Sequence, residues 1–139
     1  MQPLLVSRPD ELDAAVARLR AAERVAADTE GNSMHAYAGR LCVIQLAVAH
    51  SDRPAEEVFL IDALALADLG PLRTVLGPGG PPILFHDVGY DARMLSAVGI
   101  TLGTVIDTAL HARLLGARET GLAALLQSRF GITVSKSMQ

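Results

Sequence analysis

Half of the 139 residues are hydrophobic and 19% are charged, which suits one soluble domain with a real core and excludes a disordered or collagen-like chain. A formal charge of −3, the absence of Trp and only two Tyr and three Phe argue against a protein that coats nucleic acid through a basic or aromatic surface. They leave room for an enzyme that grips only a strand end. Cys42 is the only cysteine, which excludes an intrachain disulfide and a cysteine-based zinc site. No signal-peptide core follows Met1, and no uncharged apolar run approaches the roughly 20 residues of a membrane span. A cytoplasmic protein with no membrane partner is expected.

In chain order, Ser7-Arg8-Pro9-Asp10 predicts a helix start with Ser7 as N-cap, and Leu12, Val16 and Leu19 then share one helical face. Val25 to Glu30 reads as a short strand, Leu41 to Val48 is a nearly continuous apolar run, and Val58 to Ile61 makes a third; flanked by polar loops, these are buried strands of one sheet. The turn chemistry of His50 to Pro54 predicts a hairpin between the second and third. Leu69, Leu72, Val75 and Leu76 form a helical stripe closed by Gly77 to Pro82, a loop with too little chain before it to be a domain linker.

Ile83 to His86 predicts a fourth strand, and a helix carrying Met94, Leu95 and Val98 follows. Val105-Ile106 is a brief fifth strand, Asp107 or Thr108 opens a helix through Leu115, and Leu122 to Phe130 is a last amphipathic helix capped by Gly131. This order predicts a single α/β domain with a mixed sheet and helices on both faces.

Asp28 and Glu30 stand two apart on a strand, so their carboxylates share a face while Thr29 points the other way with Val25 and Ala27. Two adjacent acids repel, and a divalent cation relieves that repulsion because hard cations prefer carboxylate oxygens. The plainer alternative is a solvent-facing strand end. Asp91 follows the fourth strand near the start of a helix, in the region where ligands collect beyond strand ends, although an acid there also complements the helix dipole. Asp87 and Asp107 are rivals: Asp107 reads as an N-cap, and Asp87 as a cap for the helix that carries Asp91. His86 ends a core strand near the site, either to touch substrate or as a hydrogen-bonded structural residue. His35, His50 and His111 have no partner at metal-ligand spacing, and Cys42 lies in a buried strand.

Asp28-Thr29-Glu30 through Tyr37, with Arg40 to Ala47, resembles the first motif of ribonuclease D-like 3′–5′ exonucleases. His86 to Leu95, with Asp91 as its acid, is similar to their second motif. Ile106 to Leu110, Leu114 to Gly116 and Leu122 to Gln139, including Lys136-Ser137, are similar to the family's following segments. The resemblance implies a ribonuclease H-like mixed five-stranded sheet whose second strand is antiparallel. It also implies two divalent cations, Mg²⁺ or Mn²⁺, held by four acids in three motifs. Asp28, Glu30 and Asp91 correspond to three of those acids and are the expected catalytic and metal-holding residues. Thr29, His86 and Tyr90 are expected near substrate. The fourth acid belongs to a third motif with a Tyr four residues before an Asp, and neither Tyr37 nor Tyr90 fits it. The expectation is therefore one exonuclease domain over 1–139, C-terminally incomplete and poorly active alone. Its expected partner is the single-stranded 3′ end of RNA, or of DNA. The alternative is a binding or interaction module that keeps the fold without catalysis.

Overall fold

The computed structural model describes residues 2–32, 39–50 and 57–134. Tyr37, His35, most of the His50 to Pro54 turn and the Lys136-Ser137 stretch lie outside them. Helix α1 (Pro9–Arg20) starts because the Ser7 and Arg8 amides donate to Glu11 Oε2 at 3.0 and 3.2 Å and Pro9 needs no donor there. Its N-cap is Arg8, one residue beyond the predicted Ser7, because Glu11 rather than the serine hydroxyl satisfies the end.

Six strands form one sheet, β1 (Leu4–Val6), β2 (Arg24–Gly31), β3 (Leu41–Ala49), β4 (Val58–Asp62), β5 (Ile83–Phe85) and β6 (Val105–Asp107), in the order β1-β4-β3-β2-β5-β6. β3 is antiparallel to β2 and β4, and every other pairing is parallel. This is the expected mixed sheet with its antiparallel strand, but the described residues form six strands rather than five. The additional one, β1, is three residues long and exists by lying parallel to β4. No periodicity can announce so short a strand.

The remaining helices are α2 (Arg73–Leu76), α3 (Gly89–Ala97), α4 (Thr108–Leu114) and α5 (Leu122–Phe130). The helix predicted from Leu69 is a 3-10 turn over Gly70–Leu72 followed by the single turn of α2, since Pro71 and Gly77 bracket it. Alternate residues of the sheet, among them Val25, Ile44, Leu46, Phe59, Ile61 and Ile83, are buried against Leu12 and Leu19 of α1, Leu76 of α2 and Leu95 of α3. Ala109 and Ala112 of α4 are buried outside this cluster. Among the described residues no helix is long and apolar enough to cross a membrane.

β5 is short, and it pairs with β2 only at Val25–Ile83 and Ala26–Leu84. Among the described residues the second half of β2 therefore has β3 on one edge and no strand on the other.

Candidate active site

On the β5 side of β2 the Val25 amide donates to Pro82 O at 3.0 Å. Amides at alternate positions of a strand face the same edge, so the Thr29 amide also points that way, beyond the end of β5. Asp91, in the first turn of α3, supplies the acceptor. Its Oδ1 takes the Thr29 amide at 2.8 Å and the Thr29 hydroxyl at 2.7 Å. Thr29 and Asp91 are both buried, so each satisfies a group whose isolation would be costly.

Asp28 and Glu30 are exposed on either side of buried Thr29, as strand alternation requires, and Asp28 faces Gln45 across to β3. Partial burial, then the charge of Asp91, then that of Glu30 push the Asp28 carboxyl above the usual carboxylate range, against a bond from the Thr29 amide. Two acids from two chain segments, Asp91 and Glu30, thus act on one carboxyl. Asp91 reaches this site at the edge of β2, tied to the residue between the other two. A groove of about 190 Å³ beside Asp28 is lined by Ala26, Gln45, Ala47 and Val58. That is below the roughly 300 Å³ at which small-molecule pockets begin.

Among the described residues no three His, Cys, Asp or Glu side chains are already gathered at metal-ligand spacing. The donor chemistry nevertheless fits a hard divalent cation: all three groups are carboxylates, and the repulsion felt at Asp28 is what a cation would relieve. Mg²⁺ in particular keeps several waters and takes only one or two carboxylates together with substrate phosphate oxygens.

The neighbouring residues are held by specific contacts. Half-buried His86 places Nδ1 2.8 Å from Thr108 Oγ1, and that hydroxyl donates to Phe85 O at 3.1 Å. A hydroxyl has one proton, so with that proton on Phe85 O the Thr108 oxygen accepts from His86 Nδ1. The hydrogen-bonded role open to His86 is met at Nδ1. Tyr90 Oη lies 2.6 Å from where a Cβ on Gly31 would stand, against the end of β2. Thr29, expected near substrate, donates its hydroxyl to Asp91. Asp107 is the predicted N-cap of α4 and accepts from the Ala109 and Leu110 amides. Asp87 does not cap α3, whose N-cap is Val88 with no side-chain bond, and it holds a left-handed φ of 64°. Cys42 is half-buried, with Sγ donating to Arg40 O at 3.4 Å. The link between Thr29 and Asp91 was hidden in the sequence, because its only trace is the early end of β5.

A family model described as 3′–5′ exonuclease matches residues 3–139. Ribonuclease D of Desulfotalea psychrophila is 29% identical over 138 residues, which are 98% of this chain and 36% of that protein. Ribonuclease D of Gluconacetobacter diazotrophicus is 30% identical over 138 residues, 97% of this chain and 34% of its own length. The crystal structure of Escherichia coli RNase D, an exoribonuclease involved in structured RNA processing, superposes with a TM-score of 0.85 at 28% identity, over 99% of this chain and 36% of that one. The chain thus spans about a third of the length of these relatives.

Proposed function

Since this chain belongs to the ribonuclease D-like 3′–5′ exonuclease family, we propose that it carries part of a metal-dependent site that removes nucleotides from the 3′ end of single-stranded RNA. The observation that carries this reading is the convergence of Asp91 and Glu30 on Asp28, whose carboxyl is pushed upward by both charges after its burial. In this reading Asp28, which feels the charge of both other acids, would contact both cations, with Glu30 and Asp91 each supporting one. The chemistry that a bound pair of Mg²⁺ or Mn²⁺ ions supplies is a more acidic attacking water and stabilisation of the 3′-oxygen leaving group.

The side chains have their own tasks. Thr29 fixes one oxygen of Asp91, so that this acid is oriented before substrate arrives. His86 and Tyr90, held at the ends of β5 and β2, are the candidates to touch the terminal nucleotide. RNA is preferred over DNA because the E. coli relative is an exoribonuclease.

No Tyr in 1–139 is followed four residues later by Asp, so the family's third motif has no counterpart here. Residues 1–139 alone should therefore trim poorly. The absence of that Tyr–Asp pair from 1–139, with no ligand set gathered in advance among the described residues, favours a second reading, a module that binds 3′ ends without cleaving them.

Fluorescence anisotropy with one RNA sequence in linear and circular form, with and without Mn²⁺, tests the grip on a free end. The linear form should bind more tightly, only with Mn²⁺, and Asp28→Asn should abolish the difference. Equal binding of the circle contradicts the proposal. Single-turnover trimming that needs Asp28 selects the enzyme over the binding module.

A further inference from the structure

A helix N-cap needs only the amides of its own first turn, and Asp107 Oδ1 serves α4 in this way, at 2.9 Å from the Ala109 amide and 3.2 Å from the Leu110 amide. The same carboxylate reaches a second segment. Its Oδ1 accepts the Asp87 amide at 3.0 Å and its Oδ2 the Val88 amide at 3.1 Å. Asp87 and Val88 form the turn from β5 into α3, just before Tyr90 and Asp91. Asp87 has the left-handed φ that L residues rarely adopt, so the turn needs a restraint.

Thr108 completes the hold. Its hydroxyl bonds the His86 ring and Phe85 O, on the other side of the same turn. Ser, Thr or Asn would cap α4 as well, but only a carboxylate offers two acceptor oxygens for two segments at once. Burial pushes the Asp107 carboxyl upward, and the four amide bonds outweigh it and hold it below the usual range, so the acceptor form persists at neutral pH.

We infer that Asp107 is a positioning residue for the candidate site: it clamps the β5–α3 turn to the start of α4 and thereby sets where Asp91 stands. This inference rests on the exonuclease reading for its consequence and on the two pairs of amide bonds for its geometry.

Asp107→Asn removes the Val88 half of the clamp and spares the cap. Asn caps helices well and can keep the three bonds to Oδ1, but its amide group would face the Val88 amide with a donor. Asp107→Ser, a capping residue too short to span to the turn, is the second variant. Amide hydrogen exchange should quicken at Val88 by about tenfold or more, the loss of one charge-assisted bond, and Ala109 and Leu110 should stay protected. Mn²⁺-induced thermal stabilisation, measured on the same samples beside Asp28→Asn, should shrink in both Asp107 variants. Unchanged exchange at Val88, or a Mn²⁺ response of full wild-type size, overturns the positioning role. No Mn²⁺ response in the wild type removes the exonuclease reading itself, and the positioning role with it.

Discussion

The carboxylate of Asp91 takes the hydrogen-bonding place that a longer β5 would offer to the Thr29 amide, and adds the Thr29 hydroxyl to the same oxygen. An acid from the start of α3 is thereby fixed beside the residue that separates Asp28 from Glu30. The strand ends where the site needs a carboxylate.

Removing the hydroxyl should be felt in stability. Thr29→Val leaves Asp91 with the backbone bond alone and should cost about 1.5–3 kcal/mol in urea unfolding, the range for a hydrogen bond to a charged group. Thr29→Ser, which keeps the donor, should cost less than half of that. An equal loss in both would mean that packing, and not the bond to Asp91, sets the residue.

The pH dependence follows from the sign of the shift at Asp28. Its folded value is raised, so between the ordinary carboxylate pKa of about 3.9 and the raised value the native state holds a proton that the unfolded chain has lost. Stability should therefore fall as pH rises through that window. Metal-free Asp28→Asn should melt above the wild type at neutral pH, and the gap should close as acid is added. Asp107 acts in the opposite sense: its lowered value contributes stability above the ordinary carboxylate range that is lost as pH falls through its folded value. Calorimetry of wild type, Asp28→Asn and Asp107→Asn across acid to neutral pH distinguishes the two, and a wild type that outlasts Asp28→Asn at pH 7 without metal contradicts the crowding.

Gly31 leaves room for the residues at the end of β2. A Cβ there would stand 2.6 Å from Tyr90 Oη, 2.7 Å from Met94 Cε and 3.0 Å from Arg40 O. The first two are side-chain ends that can swing away, and the third is backbone. Gly31→Ala should cost roughly 1–3 kcal/mol, as overpacking does, and displace Tyr90. A neutral result in denaturant unfolding would show that the end of β2 yields easily.

The last two helices expose apolar side chains, with Leu115 81% and Phe130 73% exposed beside a groove of about 440 Å³ that also takes in Ala112, Leu122 and Leu126. Residues 1–139 should accordingly bind the dye ANS in the folded state. Leu115→Glu with Phe130→Glu should reduce that signal and change unfolding free energy by no more than about 0.5 kcal/mol. Dye binding that survives both changes would locate the apolar surface elsewhere.

The sheet was legible in sequence where strands were long and apolar. Leu41 to Val48 is a strand by its hydrophobicity alone, and the side-chain alternation of Asp28, Thr29 and Glu30 follows from the two-residue period. β1 was not legible, because three residues carry no pattern and the strand depends on β4. Asp91 was legible as an acid near a strand end. Its bond to Thr29 was not, since it depends on β5 stopping at Phe85. Asp107 was legible as a cap, and its hold on Asp87 and Val88 was not, because the partners lie about twenty residues away. Contacts of that kind exist only after the sheet has brought β5 and β6 together.

The most direct measurement is electron paramagnetic resonance of Mn²⁺ titrated into residues 1–139, where bound ions leave the six-line signal of the free aqueous ion. Wild-type protein should deplete that signal, and Asp28→Asn and Asp91→Asn should each restore most of it. A wild-type protein that leaves the signal untouched, or variants that deplete it as the wild type does, would contradict a cation site shared by carboxylates from two separate segments.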